Sequence, residues 1–369
     1  MHRTPDAETQ DMPYRYSLYL DVLRFLAALA VFLDHLSIHP ITKDLIWHRL
    51  GAYGSIAVTI FFALSGHVIA HVTATRERTL ARYAGARIAR MYSVVLVALA
   101  ATWMLDNLGM ALNPDLYAMQ RIMWKPQSLE GYAASLLFIN EYQIFNFNGI
   151  VPGSNGPYWS LSFEVTYYAI AGLCLFAPRT IAWPVAAGLL LAGGKTIAAL
   201  FPIWVMGYLL YFVRIGPQHK AWMKGLFTLS IVLLVAAPSI TGRLPTDNFG
   251  FQFPVGRGPF NRNLLADYLS AIFIAIHLVC ARSLLGDAPQ QRSPHAAERM
   301  VRWLGSLTFP LYLIHFPALA FFTAISPWRI DTLPHALFIT AATFTLVIVL
   351  TPWTDALKYA LRKRLPGNA

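Results

Sequence analysis

What most constrains this chain is the recurrence of apolar runs of about 20 residues along nearly its whole length, separated by short polar joints. As a helix rising about 1.5 Å per residue, such a run crosses the ~30 Å hydrocarbon of a bilayer. No water is present there to satisfy backbone N–H and C=O groups, so a chain of this kind spans as helices whose hydrogen bonds close within each segment. The runs fall at about 17–38, 51–73, 91–110, 158–178, 181–195, 198–213, 224–239, 264–283, 303–325 and 334–356. The expected fold is therefore all-α, a polytopic membrane protein of about ten transmembrane helices. An eleventh segment, "LEGYAASLLFIN" (129–140), is short for a span and carries Glu130 and Asn140. It reads as interfacial or re-entrant.

Charge orients the bundle. Only 13% of residues are charged, about half of what a soluble domain carries, and the net charge is +11. In a soluble protein that excess would suggest nucleic acid. Here no basic block is interleaved with an exposed aromatic platform, and no nucleic-acid partner is expected. The cations gather in alternate joints: Arg76, Arg78, Arg82, Arg87 and Arg90; Arg214, Lys220 and Lys224; Arg282, Arg292, Arg299 and Arg302; and the tail "KYALRKRL". All fall on one side if the N terminus is cytoplasmic and 129–140 does not cross, so both termini are expected in the cytoplasm. The expected organisation is a polar segment 1–16, a transmembrane domain 17–357 and a basic cytoplasmic tail 358–369. The start, "MHRTPDAETQDMPYRYS", lacks a signal-peptide pattern, so the first apolar run is expected to remain as a helix. The two long outer joints are rich in Pro, Gly, Asn and aromatics, which suits loops that shape a cleft.

Cys174 and Cys280 both lie inside apolar runs, so neither a disulfide framework nor a cysteine metal site is expected. No histidines have metal-ligand spacing, and no metal is assigned.

Several polar groups sit where lipid makes them costly. In "DVLRFLAALAVFLDHL", Arg24 and His35 are eleven residues apart, which is three turns with about 20° of drift. They share one helix face, roughly 16 Å apart along the axis, as expected for groups bordering a cavity. The plainer alternative pairs Arg24 with Asp21 and leaves His35 near the outer interface. Asp34 points about 100° away from His35 and is a secondary cavity candidate. In "FFALSGHVIA", Ser65-Gly66 suits close helix approach or a cavity edge, and His67 faces a pore or is a satisfied core histidine. Arg87 and Arg90, one turn apart, suit either a phosphate clamp or contact with lipid phosphates. In "NGPYWSLSFEVTYYAIAGLC", Gly156-Pro157 marks a turn into a helix bearing Trp159, Ser160, Ser162, Glu164, Tyr167 and Tyr168. Glu164, embedded among aromatics, is a candidate for orienting His35 or an acceptor. "SLTFPLYLIHFPAL" sets Pro310, His315 and Pro317 mid-span. His315 and His277 either line a cavity or are core histidines, the commoner case.

"LYLDVLRFLAALAVFLDH" resembles the first-span motif of the acyltransferase 3 family of bacterial membrane acyltransferases. "FFALSGHVI", "ARIARMYSVVLV", "YWSLSFEVTYY" and "LTFPLYLIHFP" resemble its later motifs, in family order, over about 17 to 355. Val22 and His67 depart from the family's usual glycine and phenylalanine or tyrosine. The resemblance implies an enzyme of the bacterial inner membrane with no tightly bound cofactor. It would move an acyl group, often acetyl, from acyl-coenzyme A to a sugar hydroxyl or a glycan- or lipid-linked acceptor. It maps the catalytic histidine to His35, its paired arginine to Arg24, the arginine pair to Arg87 and Arg90, and the motif glutamate to Glu164. The expected chemistry is general-base catalysis by His35, with Glu164 fixing the imidazole tautomer. An acyl-histidine intermediate is the alternative chemistry. A transporter or flippase for a lipid-linked sugar or acyl compound is the alternative class.

Overall fold

The structure, a computed structural model, describes residues 12–43, 45, 53–119, 122, 127–145, 150–215, 219–244, 252–254, 261–286 and 295–365. Its long helices are α1 (Tyr14–Leu36), α3 (Tyr53–Thr75), α4 (Leu80–Leu112), α7 (Trp159–Phe176), α8 (Arg179–Gly193), α9 (Lys195–Leu210), α10 (Lys220–Thr241), α11 (Leu264–Leu285), α12 (Ala296–Ile325) and α13 (Leu333–Arg364). Between them lie the short helices α2 (His39–Thr42), α5 (Pro114–Ala118) and α6 (Leu129–Leu136). A two-stranded antiparallel ribbon, Gln252–Pro254 with Asn261–Asn263, precedes α11 and is a departure from helix that hydropathy does not signal.

Each expected apolar run is helical. Eight helical stretches are long and apolar enough to cross a membrane, while α8 and α9, at 15 and 16 residues, are shorter apolar helices. Several helices overrun the apolar window that announced them. α4 begins at Leu80 rather than near 91, because Thr79 accepts the Arg82 backbone N–H and caps it there. α12 begins at Ala296 behind a reciprocal cap between His295 and Glu298. Hydropathy marks where lipid ends, and caps mark where the helix ends.

Helix directions follow from named contacts. α1 and α12 run parallel, since Arg302 donates to Ser17 at 3.0 Å near both N termini. α4 and α7 run antiparallel: Tyr83, early in α4, donates to the Tyr168 carbonyl at 2.9 Å, whereas Asp106, late in α4, accepts from Ser154 just before α7. The excursion 113–158 therefore leaves and returns at one end of the bundle. α6 has eight residues, about 12 Å, and does not cross. Beyond it the chain dips along α7, where Ser162 Oγ donates to Asn140 Oδ1 at 2.7 Å and Tyr142 meets Thr166 at 2.8 Å. The segment 129–140 therefore ends against the side of α7 within this excursion.

The arginines of the α3–α4 joint, Arg214, Lys220, Arg282, Arg299 and Arg302 all lie at the bundle end where α1 begins. Tyr16 of α1 binds His67 there, Tyr211 meets His71, and Arg282 donates to the Tyr211 carbonyl. Arg292 falls outside the described residues.

α3 and α12 form the buried centre, and α10 is the most lipid-exposed span. α3 crosses α9 at glycines. A Cβ on Gly66 would lie 2.1 Å from the Trp204 carbonyl oxygen, and one on Gly207 would lie 2.0 Å from that of Ala63. Small residues here allow the two backbones to touch.

Candidate functional site

The helices enclose a chamber of about 180 Å³. α1 contributes Arg24, α3 Ser65, α4 Arg87 and Arg90, α7 Ser160, Glu164 and Tyr168, α12 Phe309 and Tyr312, and α13 Asp355 and Lys358. A second, more open cavity of about 390 Å³ lies at the basic end of the bundle, bounded by Tyr14, Ser17, Asp21, His71, Arg76 and Arg302. Arg24 and Val68 line both. Arg24 is thus the wall between a basic vestibule and an inner chamber. It holds Asp21 at 3.4 Å, and Asp21 in turn pairs tightly with Arg302.

Glu164 is built into the chamber wall. It accepts from Tyr168 in a short hydrogen bond and from Ser65 Oγ at 3.3 Å. Ser65 lies 3.1 Å from the Tyr168 hydroxyl and accepts from the Trp204 indole at 3.2 Å, so α3, α7 and α9 meet at this polar knot. Arg87 pairs with Glu77 at 2.7 Å and stacks its guanidinium over Tyr83 and Tyr168, 5.6 and 5.5 Å from their ring centres. Burial pushes the Glu77 carboxyl above its ordinary range, against the pull of Arg87. The expected symmetric clamp of Arg87 and Arg90 is therefore unequal. Arg87 is largely neutralised, whereas Arg90 lies over Phe309 with no carboxylate at ion-pair distance among the described residues.

His35 lies outside this chamber, which corrects the expectation that Arg24 and His35 border one space. Its Nδ1 is 3.0 Å from the Val31 carbonyl and 3.0 Å from Nε2 of His315. His315 Nδ1 is 2.8 Å from the Leu311 carbonyl. A carbonyl only accepts, so His315 carries its proton on Nδ1, and in the neutral ring its Nε2 accepts. His35 then donates from Nδ1, and its own Nε2 bears the lone pair. The Val31 carbonyl by itself already requires the proton on His35 Nδ1, and the side chain that shares that proton is His315, not Glu164. Tyr312 stands between chamber and pair: it lines the chamber, and its ring centre is 6.4 Å from that of His315.

Other expected residues divide in the same way. Ser65, Ser160 and Tyr168 line the chamber. Asp34 instead packs its carboxylate against Gly54 at the start of α3, where a Cβ would lie 1.9 Å from Oδ2. His67 is a core histidine, 1% exposed, bonded through Nε2 to Tyr16 and packed edge-on against Tyr211, with no hydrogen-bond partner for its Nδ1 among the described residues. Trp159 packs on Phe62 and Phe163, and Ser162 anchors the segment 129–140 through Asn140. His277 is held between Ser230 and Tyr19 in the core. Among the described residues no three metal-ligating side chains gather.

Sequence reasoning missed Tyr312, Lys358 and the His35–His315 contact. Lys358 could have been found, because α13 carries it one turn beyond the apolar run. The contact between histidines 280 positions apart has no local signal.

The bundle and its buried polar chamber define a multi-pass membrane protein. The family model described as an acyltransferase domain, Acyl_transf_3, matches residues 17–352, and the chain belongs to that family. It is an acyltransferase, and the transporter alternative falls away. No curated protein and no solved structure matches it.

Proposed function

We propose that the protein takes an acyl group, acetyl in the simplest case, from acyl-coenzyme A and transfers it to a hydroxyl of a sugar or of a glycan- or lipid-linked acceptor. The observation that carries this reading is the His35–His315 pair, which leaves His35 Nε2 unprotonated beside a chamber with a basic entrance. The positive-inside rule puts the vestibule on the cytoplasmic face of a bacterial inner membrane, where acyl-coenzyme A is available, with both termini on that side.

The donor's phosphates meet Arg302 and Arg76 in the vestibule and Arg24 at the neck. Arg90 and Lys358 supply further positive charge along the chamber. The thin pantetheine arm then lies between Ser65, Ser160 and Tyr312. Tyr312 holds Ser160 at 2.7 Å and must swing aside for the thioester to reach His35. His35 Nε2 removes the acceptor's hydroxyl proton as that oxygen attacks the thioester carbonyl. The new C–O bond forms, the C–S bond breaks, and the thiolate leaves to be protonated from the imidazolium.

The test is release of free coenzyme A by purified protein in nanodiscs, given acetyl-coenzyme A and a panel of glycan acceptors. His35→Ala is expected to slow transfer about 10²–10⁴-fold. Near-normal transfer by that variant sinks the reading. Radiolabel on His35 with donor alone would select the acyl-histidine route over direct transfer.

A further inference from the structure

Pro317 sits inside α12 and has no N–H, so the carbonyl of Leu313, four residues earlier, has no helix partner. In a membrane interior, water does not fill that gap. Asn155 fills it: its Nδ2 lies 2.8 Å from the Leu313 oxygen and 3.1 Å from Thr102 Oγ1. The amide orientation is forced. Leu313 offers only a carbonyl, and the Thr102 hydroxyl already donates to the Ala98 carbonyl at 2.8 Å. Asn155 is fully buried, and its Oδ1 has no hydrogen-bond partner among the described residues, so its two donor contacts hold the side chain.

The approach to Asn155 is equally fixed. Asp106 accepts the Ser154 backbone N–H at 2.8 Å and its hydroxyl at 2.7 Å. Gly153 has φ +54°, and a Cβ there would lie 2.1 Å from Asp106 Oδ2, so only glycine lets the chain pass. The carbonyl that Asn155 captures follows Tyr312, the chamber wall, and precedes His315 by two residues.

We propose that Asn155 is a positioning residue for the reaction: it replaces the hydrogen bond that Pro317 removes and holds α12 where His315 Nε2 meets His35 Nδ1. The proposal rests on the reading of His35 as the base. It predicts a specific compensation. Pro317→Ala returns a backbone N–H to the Leu313 carbonyl and makes the Asn155 amide dispensable.

The experiment measures coenzyme A release by the full chain in nanodiscs for wild type, Asn155→Asp, Asn155→Ala, Pro317→Ala and the double variant Asn155→Ala/Pro317→Ala. Asn155→Asp keeps the shape but presents an acceptor to the carbonyl. Both Asn155 variants are expected to lower kcat by up to about 10²-fold, the cost of a small misplacement, with donor KM within about twofold of wild type. The kcat–pH profile, set by the histidine pair, should shift in both. The double variant should recover most of the lost kcat. A double variant no more active than Asn155→Ala overturns the proposal, as does a loss confined to KM. If Asn155→Ala is not recovered folded, the double variant decides, and its failure to fold also overturns the proposal. His35→Ala run alongside separates the two ideas. Activity in that variant sinks the base assignment, whereas absent compensation with His35→Ala inactive sinks Asn155 alone.

Discussion

At the residue scale the site turns on which donor each lone pair can find. His315 is committed through Nδ1 to the Leu311 carbonyl, so its Nε2 accepts from the His35 Nδ1–H that also faces the Val31 carbonyl, and the contact holds the His35 ring in place. His315→Ala should therefore lower kcat by roughly tenfold to hundredfold, less than the loss in His35→Ala, with donor KM little changed. Steady-state kinetics of the two variants side by side would check the ranking, and equal activity to wild type would refute it. The two arginines of the expected clamp should also separate. Arg90→Ala should raise donor KM, because the cation of Arg90 faces the chamber without a carboxylate partner. Arg87→Ala leaves Glu77 facing burial alone and should lower the thermal midpoint in detergent more than it raises KM. The reverse pattern would return Arg87 to the ligand. Arg24 and His35 were visible as costly polar groups in an apolar run, and Arg90 as one of the cations of a polar joint. Their partners were not, because a helix face gives the direction of a side chain and says nothing about which helix stands opposite.

At the scale of elements, glycines and prolines decide where helices touch. Gly66→Ala pushes a methyl group into the Trp204 carbonyl and forces α3 and α9 apart at the knot that holds Ser65 and Glu164. Overpacking of this kind costs about 1–3 kcal/mol, so the variant should unfold at lower temperature and lose donor affinity together. Thermal denaturation in detergent with a matched Gly188→Ala control tests this, since no atom lies within 4 Å of a Cβ at Gly188. A Gly66→Ala midpoint equal to the control's would show that the crossing tolerates separation. The "SGH" stretch announced either close approach or a cavity edge, and it supplies both: Ser65 lines the chamber while Gly66 meets α9. That 129–140 is not an ordinary span was legible from its shortness, but where it ends was not. That is set by Asn140 and Tyr142 reaching side chains about one and two turns into another helix.

For the whole molecule, the basic end and the opposite end differ in charge, and by the positive-inside rule that difference predicts which face is cytoplasmic. In a chain with Cys174 and Cys280 replaced, a single cysteine at Lys220 should resist a membrane-impermeant thiol reagent applied to intact cells. One at Asp331, in the α12–α13 joint, should react. Reversed labelling would invert the topology and put the vestibule on the wrong side for a cytoplasmic donor.

By itself, the sequence determined that this chain lives in a bilayer as a helical bundle, which end carries its cations, and that its motifs are those of an acyltransferase. Apolar length, charge placement and short motifs are local properties, and lipid leaves the backbone almost no choice but helix. The tertiary structure alone decided that Arg24 divides a vestibule from a chamber, that His315 rather than Glu164 stands against His35, and that an asparagine in a loop completes a helix broken by proline. These contacts join residues more than a hundred positions apart. Their energies come from the mutual approach of helices, which no single segment encodes.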